Sequence, residues 1–329
     1  MRTVFFGTPE FAVPTLQRLI ESPHPPLAVV SQPDRRRGRG RRSAVTPVAQ
    51  CARAAGIEVL QPESAGDPIF QERLRALEPD IGVVVAFGQF LPRAVRELPR
   101  RGYLLNGHAS LLPRHRGAAP IAHAILAGDS HTGVSIMKIV REMDAGPVAL
   151  ARSLEIGPDE NAGDLAARLA ELAAELLGEA LDILAAGELV FEEQDAGHAT
   201  AAPKIGPEDA HIDWSRSAET IVRQVRAMAP KPGAVTELGD DRLRILEAVS
   251  EPGDVGNTGD VGDAGATPGL VSRRGDDGAL RIATGQGWLL PRSVQRAGGR
   301  ALAIDAFLRG REIPNGTKLG GAGGPGQDR

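Results

Sequence analysis

The sequence has a single cysteine and no long apolar run, and these absences exclude several classes of protein. Its one cysteine, Cys51, excludes an internal disulfide and a zinc site built from several cysteines. Cys51 lies in an apparent helix, where a small packed residue is a better interpretation than a catalytic nucleophile. The apolar run at the N-terminus is too short for a signal peptide or a membrane span, and no membrane segment follows it. We therefore expect a cytoplasmic protein that does not enter a membrane.

The remaining composition is that of a globular protein of 329 residues, which is long enough for two domains. Aromatic residues contribute only 3%, so aliphatic side chains must fill the core. The formal net charge of −4 does not indicate a nucleic-acid-binding protein. That balance hides one basic segment at residues 35–42, RRRGRGRR, which contains six arginines. Such a run is typical of a solvated loop, but arginine also binds phosphate groups in a bidentate way.

The first half of the chain alternates short aliphatic runs with helical patterns. The runs predict strands at residues 3–6, 27–31, 58–60, 81–86 and 103–105. The helical patterns fall between or after them, at residues 10–21, 47–55, 68–77 and 120–126. Nearly continuous apolar strands separated by helices predict an open, mostly parallel α/β sheet of the Rossmann-like kind. Such sheets bind ligands at the carboxyl ends of their strands.

The second half of the chain predicts a different architecture. A strand-like stretch at residues 132–140 and a helix at residues 161–185 precede a segment at residues 195–210 that has little periodicity and resembles a linker. A helix and four short strands follow, at residues 217–227, 243–249, 270–272, 280–284 and 288–294. We therefore predict a first domain at residues 1–205, a small OB-like β-barrel domain at 206–315 and a flexible tail at 316–329. Residues 251–268, with glycine at every third position, predict a flexible acidic loop.

Chemistry-bearing residues follow two of the predicted strands. Gly7-Thr8-Pro9 follows the first strand, but the G-x-G-x-x-G fingerprint is absent, which excludes a nicotinamide-dependent dehydrogenase. Asn106 and His108 end the strand at residues 103–105 and would share one face if the chain stays extended. An amide can donate to an oxyanion, and an imidazole can act as acid, base or charged stabiliser. Taken alone, Asn-x-His better suits a pair that caps the strand and ties down the loop after it.

The residues that follow identify a family. Asn106-Gly107-His108-Ala109-Ser110-Leu111-Leu112-Pro113, continuing to Arg116-Gly117-Ala118-Ala119-Pro120-Ile121, resembles the signature of the formyltetrahydrofolate-dependent formyltransferases. In that family the fold is an open α/β sheet. The resemblance implies that Asn106 and His108 are catalytic, together with Asp144 of the downstream D-x-G segment.

The resemblance extends over almost the whole chain, with further matching segments at residues 6–9, 32–34, 85–88, 91–92, 202–205, 212–214, 230–234 and 299–310. Glycinamide-ribonucleotide formyltransferases share the catalytic core but lack the C-terminal unit. The full-length match therefore implies an enzyme of translation initiation. It would transfer the formyl group of 10-formyltetrahydrofolate to the free amino group of methionine on initiator tRNA. Three features depart from the pattern: His115 replaces a usual aromatic residue, Lys231 replaces a usual tryptophan, and residues 251–268 look inserted.

The resemblance also implies where the substrates bind. The folate would lie beside Phe87, Gly88, Leu91, Ser110, Leu111, Leu112 and Pro113. The basic segment would contact the acceptor end of the tRNA through Arg35, Arg36, Arg37, Arg39, Arg41 and Arg42. We expect the protein to be a monomer, and we expect no metal, since His123 and His131 lack a plausible set of ligand partners.

In the mechanism that these residues imply, Asn106 and a cationic His108 stabilise the oxyanion, and Asp144 holds the imidazole tautomer. Two alternatives stay open within the family, a formyltetrahydrofolate hydrolase and a formyltransferase acting on a sugar nucleotide. The basic segment and the C-terminal match argue against both. A third alternative from another class is a non-catalytic RNA-binding protein, which the presence of Asn106, His108 and Asp144 disfavours.

Overall fold

The structure, a computed structural model, describes residues 1–37, 42–253, 267–274 and 279–320. The chain divides into two compact units. The first consists of Met1–Ile121, Ser130–Ile156 and Leu165–Pro203, and the second of Ala122–Asp129, Gly157–Asp164 and Lys204–Arg329. Most of the acidic segment at residues 251–268 and of the tail at 316–329 lies outside the described residues. No helix in the described ranges is long and apolar enough to cross a membrane.

Nine strands and six α-helices occur between Met1 and Ala186, counted over the described residues. Their bounds are β1 Thr3–Gly7, α1 Val13–Glu21, β2 Pro26–Val30, β3 Arg35–Arg37, β4 Arg42–Ala44, α2 Pro47–Ala54, β5 Glu58–Leu60, α3 Pro68–Ala76, β6 Ile81–Val85, α4 Arg93–Arg96, β7 Leu104–His108, α5 Pro120–Ala127, β8 His131–Lys138, β9 Val148–Glu155 and α6 Ala162–Ala186.

Seven of these strands form one sheet in the order β5-β2-β1-β6-β7-β8-β9. The first five run parallel, whereas β8 is antiparallel to β7, and β9 to β8. The prediction of an open, mostly parallel Rossmann-like sheet is confirmed. The sequence pattern did not predict β9, because its side chains are mainly exposed and carry little apolar signal.

The central strands are apolar because both of their faces are covered. Every residue of β1 and β6 is buried. The helices between the strands begin at recognisable signals. The Thr46 side chain accepts from the backbone N–H of Ala49 at the start of α2, and the Asp67 side chain caps α3, each followed by a proline in the first turn. A side-chain cap of this kind stabilises a helix by about 1 kcal/mol. The strand order places the ends of β6 and β7 side by side.

The second unit contains a further set of elements with the bounds α7 Ala218–Met228, β10 Ala234–Leu238, β11 Asp241–Glu251, β12 Val271–Arg274, β13 Ala279–Ala283, β14 Trp288–Arg296, β15 Ala301–Ala303 and α8 Ile304–Gly310. Its six strands form an antiparallel sheet in the order β10-β11-β14-β13-β12, with β15 paired to β14. A separate antiparallel sheet of this size is consistent with the predicted small barrel.

Two short segments from the first half of the chain belong to this second unit. The Arg226 guanidinium donates to the carbonyls of Gly157 and Glu160 at 2.7 and 2.9 Å, and burial lowers the pKa of Arg226. A cut near residue 205, at the predicted boundary, would separate Arg226 from both carbonyls. The assignment of residues 1–205 and 206–315 to separate functions stays a prediction.

Candidate active site

The site is built at the carboxyl ends of β6 and β7. Asn106 and His108 occupy alternate positions in the last three residues of β7, so their side chains share one face. On the other face Gly107 lets α6 pack closely, since a Cβ at this position would lie 3.0 Å from a methyl carbon of Leu177. The half-buried Asn106 amide makes no side-chain hydrogen bond within the described part of the chain. An amide of this kind is available to a ligand.

Both ring nitrogens of His108 face oxygen atoms. Nε2 lies 3.0 Å from the carbonyl oxygen of His115, and Nδ1 lies 3.6 Å from Oδ2 of Asp144. A carbonyl can only accept, so Nε2 carries the proton in this hydrogen bond. The backbone carbonyl of His115 therefore sets the tautomer, a task that the sequence analysis assigned to Asp144. The separation between Nδ1 and Asp144 exceeds a hydrogen bond, which leaves Nδ1 available to a reacting group.

The carboxylate of Asp144 is held at its other side by the loop that follows His108. The backbone N–H of Gly117 donates to Oδ2 of Asp144 at 2.9 Å. Asp144 itself has a positive φ of 51°, and the Asp144 carboxylate is mostly buried. The structure thus brings Asn106 and His108 onto one strand face and places Asp144 against His108.

Two serines shape the loop that contains the predicted folate residues. Ser110 is fully buried and donates from Oγ to the carbonyl of Arg114 at 2.6 Å. Ser135, on the neighbouring strand β8, donates to the carbonyl of Ser110 and accepts from the N–H of Leu112. These bonds show that Ser110 stabilises the conformation of the loop. The half-buried residues Leu111, Leu112 and Pro113 supply the apolar surface of the loop.

The other predicted folate residues follow β6. Phe87 and Leu91 are buried in the core, with the Phe87 ring edge-on to Phe6 at 5.5 Å. Only their backbone groups could therefore meet a ligand. Gly88 is exposed with a φ of 84°, a conformation that favours glycine, and Phe90 beside Leu91 is 71% exposed.

The basic segment forms two short strands in place of a simple loop. β3 and β4 pair antiparallel, with Arg35 opposite Ala44 and Arg37 opposite Arg42. We call β3 and β4 the arginine hairpin. Arg35 is exposed, and within the described residues it makes no hydrogen bond or ion pair with Asn106, His108 or Asp144. The predicted tRNA residues Arg39 and Arg41 lie outside the described residues.

The base of the arginine hairpin is tied to the sheet through Asp34. Its carboxylate accepts from Nε2 of Gln61 at 2.7 Å and lies 3.8 Å from the Arg53 guanidinium. The Gln61 amide also donates to the carbonyl of Gln32. These bonds fix the point at which the basic segment leaves the sheet.

Sequence reasoning missed Gln194, which joins two loops of the site. Its Nε2 donates to the carbonyls of Asp144 and Gly146 at 2.9 and 2.6 Å. Its Oε1 accepts two hydrogen bonds from the Arg116 guanidinium. Next to it, the Gly197 amide and the His198 side chain lower the pKa of Asp195. No local sequence pattern indicates that Gln194 belongs to the site, because its partners lie about fifty residues or more earlier in the chain.

The described residues contain no group of three or more His, Cys, Asp and Glu side chains that could hold a metal ion.

Comparison with known proteins places both units in one family. The model of the formyl transferase family matches residues 1–181, and that of the formyl transferase C-terminal domain matches residues 204–312. A methionyl-tRNA formyltransferase of Citrifermentans bemidjiense is 44% identical, over 97% of this chain and 96% of the relative. A methionyl-tRNA formyltransferase of Methylococcus capsulatus is 47% identical, over 97% of this chain and 100% of the relative.

A solved structure shares the fold at low sequence identity. It is that of WlaRD, a sugar 3N-formyl transferase in the presence of dTDP and 5-N-formyl-THF, with a TM-score of 0.63 and 14% identity. The match covers 91% of this chain and 99% of that protein. At this identity the likeness concerns the fold alone.

Proposed function

The chain belongs to the formyl transferase family, and we propose that it transfers the formyl group of 10-formyltetrahydrofolate to the free amino group of methionine on initiator tRNA. The relatives that act on methionyl-tRNA match both units of the chain over nearly their full length. The observation that carries the chemistry is the His108 ring between Asp144 and the His115 carbonyl, with the Asn106 amide on the same strand face.

The reaction is an acyl transfer to an amine, and the folate supplies the activated formyl group. The oxyanion that develops on the formyl oxygen needs hydrogen-bond donors held in place before the reaction. Asn106 offers its side-chain N–H groups. In its cationic form, His108 also offers Nδ1–H, because the proton on Nε2 is already bound to the carbonyl of His115. Removal of one such donor typically slows the chemical step by 10²- to 10³-fold.

Asp144 contributes in two ways. Its negative charge, 3.6 Å from Nδ1, stabilises a cationic His108 ring during the reaction. It also accepts a proton from the attacking amine, through a water molecule, as the new C–N bond forms. The bond between the formyl carbon and N10 of the folate then breaks, and N10 takes up that proton as tetrahydrofolate leaves. The backbone N–H of Gly117 keeps this carboxylate in position.

The folate is assigned to the two loops that follow β6 and β7. Their ends are adjacent because Val84 of β6 pairs with Asn106 of β7. Leu111, Leu112 and Pro113 offer apolar surface for a flat ring, and exposed Gly88 leaves backbone groups accessible to its polar edge.

The tRNA is assigned to the arginine hairpin and to the second unit. Six arginines within residues 35–42 match the phosphates of an acceptor end in charge and in bidentate geometry. Translation initiation places the enzyme in the cytoplasm. We propose that it acts as a monomer.

Three parallel incubations with 10-formyltetrahydrofolate test the proposal. The first contains charged initiator tRNA, the second contains no acceptor, and the third contains a nucleotide-linked amino sugar. We expect formyl-methionine on the tRNA only in the first. Breakdown of the folate without acceptor would favour a hydrolase, and product in the third would favour a sugar formyltransferase. Absence of turnover in all three would favour a non-catalytic RNA-binding protein.

A further inference from the structure

One segment without helix or strand periodicity lies across both loops that position the His108 ring. We call residues 192–202 the strap. At its start, Glu192 and Val148 exchange two backbone hydrogen bonds of 2.8 and 2.9 Å beside the Asp144 loop. At its end, Thr200 and Ala202 form backbone bonds of 2.8 and 2.7 Å with Arg116 in the loop after His108. The strap therefore touches the chain on both sides of the ring.

On the Asp144 side, the contact is made by the side chain of Gln194. Its two N–H donors point to the carbonyls of Asp144 and Gly146, and its oxygen accepts from Arg116. Gln194 is half-buried, so water competes weakly for these bonds. Asp144 has a positive φ, which is unfavourable for an aspartate unless its surroundings hold it. The two carbonyl contacts hold the backbone in that conformation.

On the opposite side of the ring, the contact is made by Thr200. The backbone N–H of His115 donates to Oγ1 of Thr200 at 2.8 Å. His115 also has a positive φ, of 57°. Its carbonyl is the group that accepts from Nε2 of His108. Thr200 Oγ1 thus holds the N–H of the residue whose carbonyl sets the tautomer of the ring. The peptide that carries this carbonyl is held by Thr200 as well, because its other end, the Arg116 N–H, donates to the Thr200 carbonyl at 2.8 Å.

The approach of the strap to the site loop requires a glycine. A Cβ on Gly117 would lie 2.4 Å from the carbonyl oxygen of Ala202, and the φ of Gly117 is 134°. The same glycine donates to the Asp144 carboxylate. Gly117 therefore contacts the strap at Ala202 and the Asp144 carboxylate at the same time.

We propose that Gln194 and Thr200 are positioning residues for the formyl transfer, and that they act by holding the two residues whose oxygen atoms face the ring nitrogens of His108. Gln194 holds Asp144 on the Nδ1 side, and Thr200 holds the His115 carbonyl on the Nε2 side. The inference rests on the proposed function, because it assigns a role in that reaction. A misplacement of about 1 Å in a reacting group slows an enzyme by about 10²-fold, so the effect is large enough to measure.

The first test replaces Gln194 with methionine, which has a similar length and makes none of the four hydrogen bonds. We expect the single-turnover rate to fall roughly 10- to 100-fold in the full-length Gln194→Met protein, by the same misplacement argument. The Michaelis constants for folate and tRNA should stay within about twofold, because uniform binding is not affected. Glu193→Gln, at the exposed neighbouring position, is the matched control and should keep the wild-type rate.

A double-mutant cycle shows whether Gln194 acts through Asp144. Asp144→Asn keeps an oxygen for the Gly117 N–H and removes the charge. If Gln194 works by holding the carboxylate, adding Gln194→Met to Asp144→Asn should slow the reaction by only about threefold or less. An equal loss in both backgrounds would mean that Gln194 supports the fold in general, and would overturn the inference. A wild-type rate in Gln194→Met alone would overturn it as well.

The second test uses two variants at Thr200. Thr200→Val keeps the shape and removes the acceptor, whereas Thr200→Ser keeps the acceptor. We expect Thr200→Val to lower the rate about tenfold and Thr200→Ser to restore it to within about twofold, both at unchanged melting temperature. Equal rates in the two variants would overturn the role of Thr200. Absence of formyl-methionine product from the wild-type protein would instead refute the proposed function, so the two failures are distinguishable.

Discussion

Around His108 both ring nitrogens face oxygen atoms of the protein, and the Asp144 carboxylate accepts from the Gly117 N–H. The arginine hairpin, by contrast, pairs with no other strand among the described residues. The two regions are proposed to serve the same reaction, but the physical demands on them differ. A donor to an oxyanion works only within a few tenths of an ångström of its position. A charge attracts phosphate over a Debye length of about 8 Å, so its position matters less. We therefore expect catalysis at His108 to depend on exact geometry, and tRNA binding by the arginine hairpin to depend mainly on charge.

The strongest test of this comparison is the removal of one catalytic side chain. In Asn106→Ala, His108→Ala or Asp144→Ala we expect the single-turnover rate to fall roughly 10²-fold or more, the usual effect of losing an oxyanion donor or an acid–base group. Affinity for folate and for tRNA should change much less. Rapid quenching with charged tRNA in excess measures the rate. A near-normal rate in His108→Ala would remove this residue from the mechanism.

Next in size is the loss of charge from the arginine hairpin and its connecting residues. Changing Arg39, Arg41 and Arg42 together to alanine should raise the Michaelis constant for tRNA by tens of fold at low salt and leave folate affinity unchanged. Each phosphate contact contributes about −0.7 to −0.9 to the slope of log affinity against log salt, so the slope should flatten by roughly two units. Binding of tRNA at several salt concentrations measures both quantities. Parallel lines of equal height would show that the segment is only solvated.

The regular part of the fold could be predicted from its sequence, because neighbouring residues determine each of these strands and helices. The all-apolar strands β1 and β6 and the capped helices α2 and α3 carry their signal in adjacent residues. β9 could not be predicted, since it lies at the sheet edge with its side chains mostly in solvent. The pairing within the arginine hairpin could not be predicted either, because a run of arginines has no alternation of apolar and polar residues.

The candidate site was predictable only as far as its residues lie in one motif. Asn106 and His108 stand two positions apart on a strand, and the family resemblance adds Asp144. Gln194 and Thr200 are different, because they reach the site through contacts with chain segments some 50 to 85 residues away. They lie in or beside a segment whose lack of periodicity predicted a linker. Irregular backbone that is fixed by long-range hydrogen bonds has no periodic signal to detect.

A smaller effect is expected at Gly117, where a substitution can distinguish the need for close packing from the need for a positive φ. In Gly117→Ala the new Cβ would meet the Ala202 carbonyl at 2.4 Å, so the loop must move and carry the N–H away from Asp144. We expect the rate to fall about tenfold, with a lower melting temperature. Gly56→Ala is the matched control, since Gly56 has a positive φ of 71° but no atom within 4 Å of its Cβ. If both variants lose the same activity, the close approach of Ala202 to Gly117 is not needed for catalysis.

The smallest effect is expected from a substitution that keeps charge and changes geometry. We expect Arg39→Lys, Arg41→Lys and Arg42→Lys together to retain the wild-type salt slope, because counterion release depends on the number of charges at the phosphates. The Michaelis constant for tRNA should rise only about threefold, since lysine loses the bidentate contact but not the attraction. Kinetics at two or more salt concentrations measure both.

The same kind of conservative change at the catalytic group should have the opposite outcome. Asn106→Gln keeps the amide but moves it by one methylene, more than 1 Å, and a displacement of that size slows an enzyme by about 10²-fold. Measured side by side, the lysine triple variant should stay close to wild type while Asn106→Gln loses most of its turnover. If the lysine variant loses as much as the alanine variant, the arginine hairpin binds by geometry as well. If Asn106→Gln keeps its rate, the amide is not a fixed oxyanion donor, and the contrast between the two regions disappears.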